Sequence, residues 1–238
     1  MRISAKNRSK LLGGQGDTSK WRNSLVGVPC FLIGNGPLSL QKDTKLEKLL
    51  KGYFTIGINR AFKIIDPTIL LWQDLALWIE HKKYLKKNLK ALKYCRKDAS
   101  TGQYCYHFFM TEIKSKLPID PSHLHGRGNS GPLAFQLAYA LGCNPIVLVG
   151  MDCKYSKDGK TNFYGKNPMH RPFTLKSCKQ GLKWIRDVKH GRTIINCSKN
   201  SVFKERFSIE EGIEKIGDIK KYTREEFHTK ILNNKNYN

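Results

Sequence analysis

Short apolar runs recur along the chain, and each is about as long as a β-strand. They span Val26 to Ile33, Phe54 to Ile58, Ile69 to Trp72, Ile146 to Val149 and Thr193 to Asn196. Because these runs are largely continuous rather than alternating, they indicate strands that are buried on both faces, as in a parallel sheet.

The segments between these runs show the spacing of amphipathic helices. One lies near Leu46, and others extend from Ser130 to Leu141 and from about Leu175 to His190. Ser130 is suited to cap the second helix at its start, and Gly142 is suited to end it. The order of strands and helices predicts an α/β fold, a Rossmann-like parallel sheet with helices on both faces in a single domain.

A basic amphipathic helix is predicted from Ile79 to Lys97. Between Lys82 and Lys97 there are eight basic residues and no acidic one. Such a run is either a solvated helix face or a face that binds phosphates, and we expect it to contact nucleic acid. The residues of this predicted face are Lys82, Lys83, Lys86, Lys87, Lys90, Lys93, Arg96 and Lys97.

The charge of the whole chain has the same sign. Among 238 residues there are 43 Lys and Arg against 19 Asp and Glu, which gives a net charge of +24. A field of this sign attracts polyanions such as nucleic acid, phosphorylated glycans or an anionic membrane surface. A general bias toward lysine is the alternative explanation.

We expect three parts along the chain: a flexible basic arm over residues 1–24, a catalytic domain over 25–200, and a C-terminal extension over 201–238 with a disordered end. The chain has neither a secretory signal nor a run of 18 apolar residues, so we expect a cytoplasmic protein. Its seven cysteines include no Cys-x-x-Cys pair, so neither a disulfide framework nor a zinc site is predicted.

Polar residues stand at the ends of four predicted strands: Asn35, Asn59, Asp74 and Asp152. In parallel sheets, ligands bind beyond the carboxyl ends of the strands, where such loops converge. The four residues therefore predict a site at that edge of the sheet.

The loop Gly34-Asn35-Gly36-Pro37 follows a strand and precedes a helix. Glycines in this position let backbone N–H groups approach a phosphate or a ribose, and a helix N-terminus favours negative charge. Ser130-Gly131 offers a second helix N-terminus of this kind, and Arg127 could neutralise a diphosphate.

His170 lies in a polar loop and is the predicted general base, because an imidazole that titrates near neutrality can remove a proton from a hydroxyl. His107, His123 and His125 are the alternatives. No Asp-x-Asp follows a strand, so we expect no metal clamp on a diphosphate.

Three blocks carry a family resemblance: FLIGNGP at 31–37, TIGINRAF at 55–62 and RGNSGPLAFQLAYALGCNPIVLVGMD at 127–152. In this order they resemble the bacterial lipooligosaccharide sialyltransferases and the related hydroxymethylpterin diphosphokinase-like family, which share a Rossmann-like fold. The chain departs from that pattern by Leu38, which is inserted before Ser39.

The resemblance implies contacts to a cytidine nucleotide sugar. The implied donor contacts are Asn35, Gly36, Asn59, Ser130, Gly131 and Asp152, with Asn196 and Ser198 in the final strand-end loop. It also implies that His170 is the base, that Tyr155 and Tyr164 are nearest to the tyrosines that assist phosphate departure, and that catalysis is independent of metal. We predict His170, Asp152 and Asp74 as the catalytic groups.

We expect a glycosyltransferase that uses a CMP- or UDP-linked sugar and modifies a polyanionic acceptor. Hydroxymethylated pyrimidines in DNA are the favoured acceptor, as in a viral DNA-modifying enzyme, and the target base would be flipped out. Three alternatives stay open: a transferase acting on surface glycans at an anionic membrane, a Mg²⁺-dependent pterin-type diphosphokinase, and a non-catalytic nucleic-acid-binding protein.

Overall fold

The computed structural model describes residues 16–40, 45–100, 104–112, 115–126, 129–166, 174–219 and 221–233. Within these ranges, eight strands form one parallel sheet, in the order β6-β5-β4-β3-β2-β1-β7-β8. The strands are β1 Cys30–Ile33, β2 Phe54–Ile58, β3 Ile69–Trp72, β4 Leu92–Arg96, β5 Tyr106–Thr111, β6 His123–His125, β7 Ile146–Val149 and β8 Ile194–Asn196.

The described ranges also hold six α-helices and two short 3₁₀ helices. The α-helices are α1 Leu46–Leu49, α2 Leu75–Lys87, α3 Ser130–Leu141, α4 Thr174–Asp187, α5 Ile209–Ile216 and α6 Arg224–Asn233. The 3₁₀ helices are Thr18–Trp21 and Asn59–Lys63. None of the helices described is long and apolar enough to span a membrane.

The two faces of the sheet pack into separate cores. Along β1, Cys30 and Leu32 contact the core under α3 and α4, whereas Phe31 and Ile33 contact the core that includes α1 and α5. Every residue of β1 is fully buried. The continuous apolar pattern of this strand therefore follows from cover on both faces, and the predicted α/β fold is confirmed.

The predicted helix from Ile79 to Lys97 is wrong in its second half. Helix α2 ends at Lys87, and Leu92–Arg96 forms β4 instead. The carboxylate of Asp66 accepts hydrogen bonds from the backbone N–H groups of Lys90 and Ala91, at 3.2 and 3.1 Å. These bonds fix the turn between α2 and β4. Leu85, Leu89 and Leu92 have the spacing of one helix face, but tertiary pairing with β3 and β5 decides the conformation of this segment.

The ends of the described chain belong to the same core as the sheet. Trp21 is buried and packs with its ring centroid 5.6 Å from that of Phe227, which in turn packs against Phe54. Within the segment predicted as an N-terminal arm, Thr18–Trp21 forms a 3₁₀ helix. The extension predicted from 201 also contributes to the core through Phe227. Residues 1–15 and 234–238 lie outside the described residues.

Two further features correct the sequence analysis. Ser130 is the first residue of α3 rather than its cap, and Asn129 caps the helix by accepting a hydrogen bond from the Gly131 N–H at 2.9 Å. Gly142 ends this helix in the left-handed conformation, as predicted. Strands β5 and β6 occupy a segment in which sequence reasoning placed no element.

Candidate functional site

The topology of the sheet singles out one crevice at the carboxyl ends of its strands. From β1 the chain passes to β2 on one side, and from β7, the neighbour of β1, it passes to β8 on the other side. Ligands in open α/β sheets bind where the direction of connection reverses in this way. The site is thus expected beyond Ile33 and Val149, the last residues of β1 and β7.

A cleft of 540 Å³ lies at this position. It is bordered by the loops that follow β1, β2, β3 and β7 and by the start of α3. The residues predicted for the site that line it are Gly34, Asn35, Gly36, Asn59, Asp74, Ser130, Gly131 and Asp152. All four polar strand-end residues therefore meet at one cleft.

The glycines of the loop after β1 are required by close packing. A Cβ atom on Gly34 would overlap the backbone carbonyl of Gly150, and a Cβ atom on Gly36 would overlap the carboxylate of Asp152. The loop after β1 thus lies directly on the loop after β7, and any larger side chain would separate them.

The carboxylate of Asp152 holds the loop after β1. It accepts hydrogen bonds from the backbone N–H groups of Leu38 and Ser39, at 2.7 and 2.9 Å, and a short one from the hydroxyl of Ser39. Burial raises the pKa of Asp152 above its usual value, although these hydrogen bonds and the charge of Lys199 act in the opposite direction. Leu38, the residue inserted relative to the family pattern, thus contributes one of the donors.

Two asparagines join the loops after β1 and β2. The side-chain amide of Asn35 donates to the carbonyl oxygen of Ile58 at 2.8 Å, which leaves its own buried Oδ1 without a hydrogen-bond partner among the described residues. Asn59 has a φ of 51°, a left-handed conformation that asparagine tolerates better than most residues. Its Oδ1 accepts from the hydroxyl of Ser130 at 3.4 Å, so it also contacts the start of α3.

The N-terminus of α3 faces the same cleft. Asn129, Ser130 and Gly131 line it, and the first turn of a 12-residue helix carries a partial positive charge. The Nδ2 of Asn129 is buried and has no hydrogen-bond partner among the described residues. Two residues that line the cleft therefore each carry a buried polar atom without a partner among the described residues, an acceptor on Asn35 and a donor on Asn129.

Sequence reasoning missed a polar cluster on the cleft wall around Arg60. The guanidinium donates to the hydroxyl of Tyr164 at 3.4 Å and to the Nε2 of His81 at 3.2 Å, and it forms an ion pair with Glu80. Burial disfavours the charge of Arg60, but the hydrogen bonds and charges of Tyr164 and Glu80 outweigh this effect and raise its pKa. Arg60 lies within the TIGINRAF block, so its position next to Asn59 was the available signal.

Asp74 and Arg96 border the cleft on the β3 and β4 side. Asp74 is exposed and precedes α2 without a capping hydrogen bond from its side chain. Arg96 forms an ion pair with Asp98. A cation of the predicted nucleic-acid face thus belongs to the cleft instead.

Asn196 and Ser198, for which the resemblance implied donor contacts, do not line the cleft. The amide of Asn196 donates to the carbonyl oxygens of Ser198, Phe203 and Glu205 at 3.1–3.3 Å. The hydroxyl of Ser198 donates to Leu148 O at 3.1 Å and accepts from the Met151 N–H at 2.8 Å. Both side chains are buried and hold loops together.

The predicted base and one predicted cation cannot be placed. His170 and Arg127 lie outside the described residues. The alternative histidines, His107, His123 and His125, lie on β5 and β6 at the far edge of the sheet and do not line the cleft.

Both tyrosines implied by the resemblance, Tyr155 and Tyr164, line the cleft. Across the ranges that the structure covers, no group of three or more His, Cys, Asp or Glu side chains is arranged to hold a metal ion. All seven cysteines are free thiols, and only Cys178 among them is part of the cleft wall.

The basic residues predicted as one helical face lie on different elements. Lys82, Lys83, Lys86 and Lys87 are exposed on α2, and Lys90 is exposed in the following turn. The remaining three lie on or after β4 and are half-buried: Lys93, Arg96 and Lys97. Burial lowers the pKa of Lys93, and its amine donates to the carbonyl oxygen of Leu89. The eight cations therefore do not lie on one helix.

Comparison with known proteins gives few matches. No protein-family profile and no curated protein matches the chain. Among solved structures, the chain is similar to the sialyltransferase CstII from Campylobacter jejuni, in complex with the substrate analogue CMP-3FNeuAc, at 13% identity and a TM-score of 0.43, over 74% of this chain and 83% of that one. A CstII structure with cytidine-5'-monophosphate has the same identity and TM-score, over 74% of this chain and 82% of that one.

Proposed function

We propose that this chain is a glycosyltransferase that binds a nucleotide sugar in the cleft between the loops after β1 and β7. The observation that carries the proposal is the pair of buried amide atoms without partners, Asn35 Oδ1 and Asn129 Nδ2, in residues that line the cleft beside the N-terminus of α3. A buried polar atom without a partner costs about 1–3 kcal/mol. A ligand with a donor, an acceptor and a phosphate matches what this part of the cleft offers.

The groups have distinct roles in the proposal. The N-terminus of α3, at Ser130 and Gly131, binds a phosphate oxygen of the donor. Asn35 and Asn59 bind the nucleoside, because an amide both donates and accepts hydrogen bonds. Asp152 acts by holding the loop after β1 rather than by contacting the donor, since its carboxylate already accepts three hydrogen bonds.

The transfer step follows from the chemistry of such donors. An acceptor hydroxyl oxygen attacks the anomeric carbon, the bond between that carbon and the phosphate oxygen breaks, and the nucleotide leaves with the electron pair. The proton of the hydroxyl goes to a general base, for which His170 stays our candidate. The sequence resemblance implies a cytidine nucleotide, and we expect a CMP- or UDP-linked donor.

For the acceptor, we propose a polyanion. The support is the net charge of +24 together with the five exposed lysines from Lys82 to Lys90. Duplex DNA with hydroxymethylated pyrimidines is the first acceptor to examine. Its binding should weaken steeply as salt rises, because each neutralised phosphate releases counterions. Absence of binding to DNA at low salt would exclude that acceptor and leave phosphorylated glycans or an anionic membrane surface.

Slow hydrolysis of the donor tests the catalytic proposal without an acceptor. The protein is incubated with CMP-, UDP- and GDP-linked sugars, and the released nucleotide is measured by chromatography. We expect release from one nucleotide class, and its loss in His170→Ala. His190→Ala, in the loop after α4 and away from the cleft lining, is the matched control and should keep the activity. No release from any donor, with Mg²⁺-dependent conversion of ATP to AMP instead, would contradict the proposal and favour pyrophosphoryl transfer.

A further inference from the structure

Arg60 and Tyr164 stand side by side in the wall of the cleft. Both line it, and the guanidinium donates to the phenol oxygen at 3.4 Å, with its central carbon 5.2 Å from the centre of the ring. Behind Arg60, Glu80 and His81 on α2 contact the guanidinium without lining the cleft themselves. Glu80 and His81 thus hold the guanidinium from the side of α2, while Arg60 itself lines the cleft.

The hydrogen-bond capacity of this pair is only partly used. A guanidinium has five N–H groups. Among the described residues, three partners of Arg60 are present, namely His81, Tyr164 and Glu80, which leaves two N–H groups available. Since the oxygen of Tyr164 accepts from Arg60, its own hydrogen is available to a ligand.

Arg60 is the cation of this cluster that lines the cleft. Its acidic partner Glu80 does not line the cleft, and neither does the exposed Lys63, whose Nζ lies 5.4 Å from the centre of the Tyr164 ring. Burial lowers the pKa of His81; the charge of Glu80 acts in the opposite direction, and the charges of Arg60 and Lys63 act in the same direction as burial. Burial also raises the pKa of Tyr164, which stays a neutral donor.

We propose that Arg60 and Tyr164 form a subsite for an oxyanion of the substrate, a phosphate or a carboxylate, and that Glu80 and His81 are positioning residues for Arg60. The inference rests on the proposed function in that it assigns the subsite to the same donor cleft. A guanidinium fork and a phenol hydroxyl supply directed donors that suit two oxygens of one anionic group. Asn59 precedes Arg60 and contacts Ser130, so this subsite adjoins the N-terminus of α3.

Binding of simple oxyanions tests the subsite directly. Wild-type protein is titrated with inorganic phosphate and with glucuronate, and with cytidine and glucose as uncharged probes, and affinities are measured from NMR shifts. We expect Arg60→Met and Tyr164→Phe to weaken binding of one oxyanion, with a loss of about tenfold to a hundredfold for Arg60→Met. If Arg60→Met weakens the binding of inorganic phosphate, the subsite binds a phosphate. If it weakens the binding of glucuronate, the subsite binds a carboxylate. Binding of the uncharged probes should not change.

Lys63→Met is the matched control, because it removes a cation near the same ring but outside the cleft lining. It should change oxyanion affinity by less than about twofold, as expected of an exposed charge. Equal losses in Arg60→Met and Lys63→Met, or no loss in Arg60→Met, would overturn the subsite. If the wild type releases nucleotide from a donor but Arg60→Met does not change oxyanion binding, only the subsite proposal is contradicted. If oxyanion binding depends on Arg60 but no donor releases nucleotide, only the proposed function is contradicted.

Glu80→Ala tests the positioning role. If Glu80 holds Arg60 in place, its removal lowers oxyanion affinity even though it makes the cluster more positive. If Glu80 only neutralises charge, the same variant raises oxyanion affinity, which would contradict a positioning role. Glu80→Asp, which keeps the carboxylate, should recover part of the affinity.

Discussion

Gly36 lies so close to Asp152 that a Cβ atom on the glycine would overlap the carboxylate. This contact joins the loop after β1 to the loop after β7 across the point where the sheet changes direction. The carboxylate in turn accepts the backbone N–H groups of Leu38 and Ser39. The shape of the cleft on this side thus depends on one glycine and one aspartate.

Gly36→Ala should destabilise the protein and weaken donor binding. Overpacking of a well-packed site costs about 1–3 kcal/mol, and here the added atom meets a carboxylate that is already hydrogen bonded. Denaturant unfolding and nucleotide titration measure the two effects. Gly16→Ala is the control, since its new atom would meet only Tyr106 at 3.5 Å, an ordinary contact. Equal behaviour of the two variants would show that the close packing at Gly36 is not required.

Asp152→Ala should lower the free energy of unfolding by about 1–3 kcal/mol, because it leaves the N–H groups of Leu38 and Ser39 without their acceptor. Asp152→Asn keeps one acceptor oxygen and should lose less. Hydrogen exchange at Leu38 and Ser39 reports the same bonds and should speed up in the alanine variant. Unchanged exchange at both amides would contradict this role of the carboxylate.

Asn196→Ala should destabilise the fold without changing the affinity for nucleotide. Its side chain donates to carbonyl oxygens of three residues in the loop that follows β8 and is buried away from the cleft. Loss of these partners is expected to cost about 1–3 kcal/mol. Thermal unfolding and calorimetric titration separate the two effects. A loss of nucleotide affinity with intact stability would instead support the donor contact that the resemblance implied.

Stability should fall as the pH drops from 7.5 to 6. Burial lowers the pKa values of His81, His190 and His228, whereas an unfolded histidine has a pKa of about 6.5. The unfolded chain therefore binds protons first, and the stability that is present above about 6.5 is lost as the pH falls toward the folded pKa values. In a variant with glutamine at all three positions, the melting temperature should depend less on pH over this interval. An unchanged slope in that variant would refute the assignment.

Several elements could be predicted from apolar patterns alone. β1, β2, β3 and β7 are covered on both faces, so their sequences are apolar nearly throughout. The pattern failed for β4, where Leu85, Leu89 and Leu92 have helical spacing although Leu92 begins a strand. Pairing between strands that are distant along the chain leaves no periodic pattern in the sequence.

For the candidate site, the sequence predicts that the strand ends meet, but it does not predict the direction of the side chains. Asn35, Asn59, Asp74 and Asp152 all line the cleft, because carboxyl ends of parallel strands share one edge. The sequence does not show that the carboxylate of Asp152 turns toward the loop after β1. Likewise, the contact between Arg60 and Glu80 arises only when α2 packs beside the loop after β2.

Calorimetric titration with CMP, UDP, GDP and ATP tests the central claim most directly, since the claim is that this cleft binds the nucleotide of a sugar donor. The account predicts that CMP or UDP binds to the wild-type protein and that Asn35→Ala weakens this binding by at least about tenfold, because it removes the bond to Ile58 O and the buried acceptor. Lys83→Ala, an exposed change on α2, should bind as the wild type does. Binding of neither nucleotide, or equal binding by Asn35→Ala, would contradict the account.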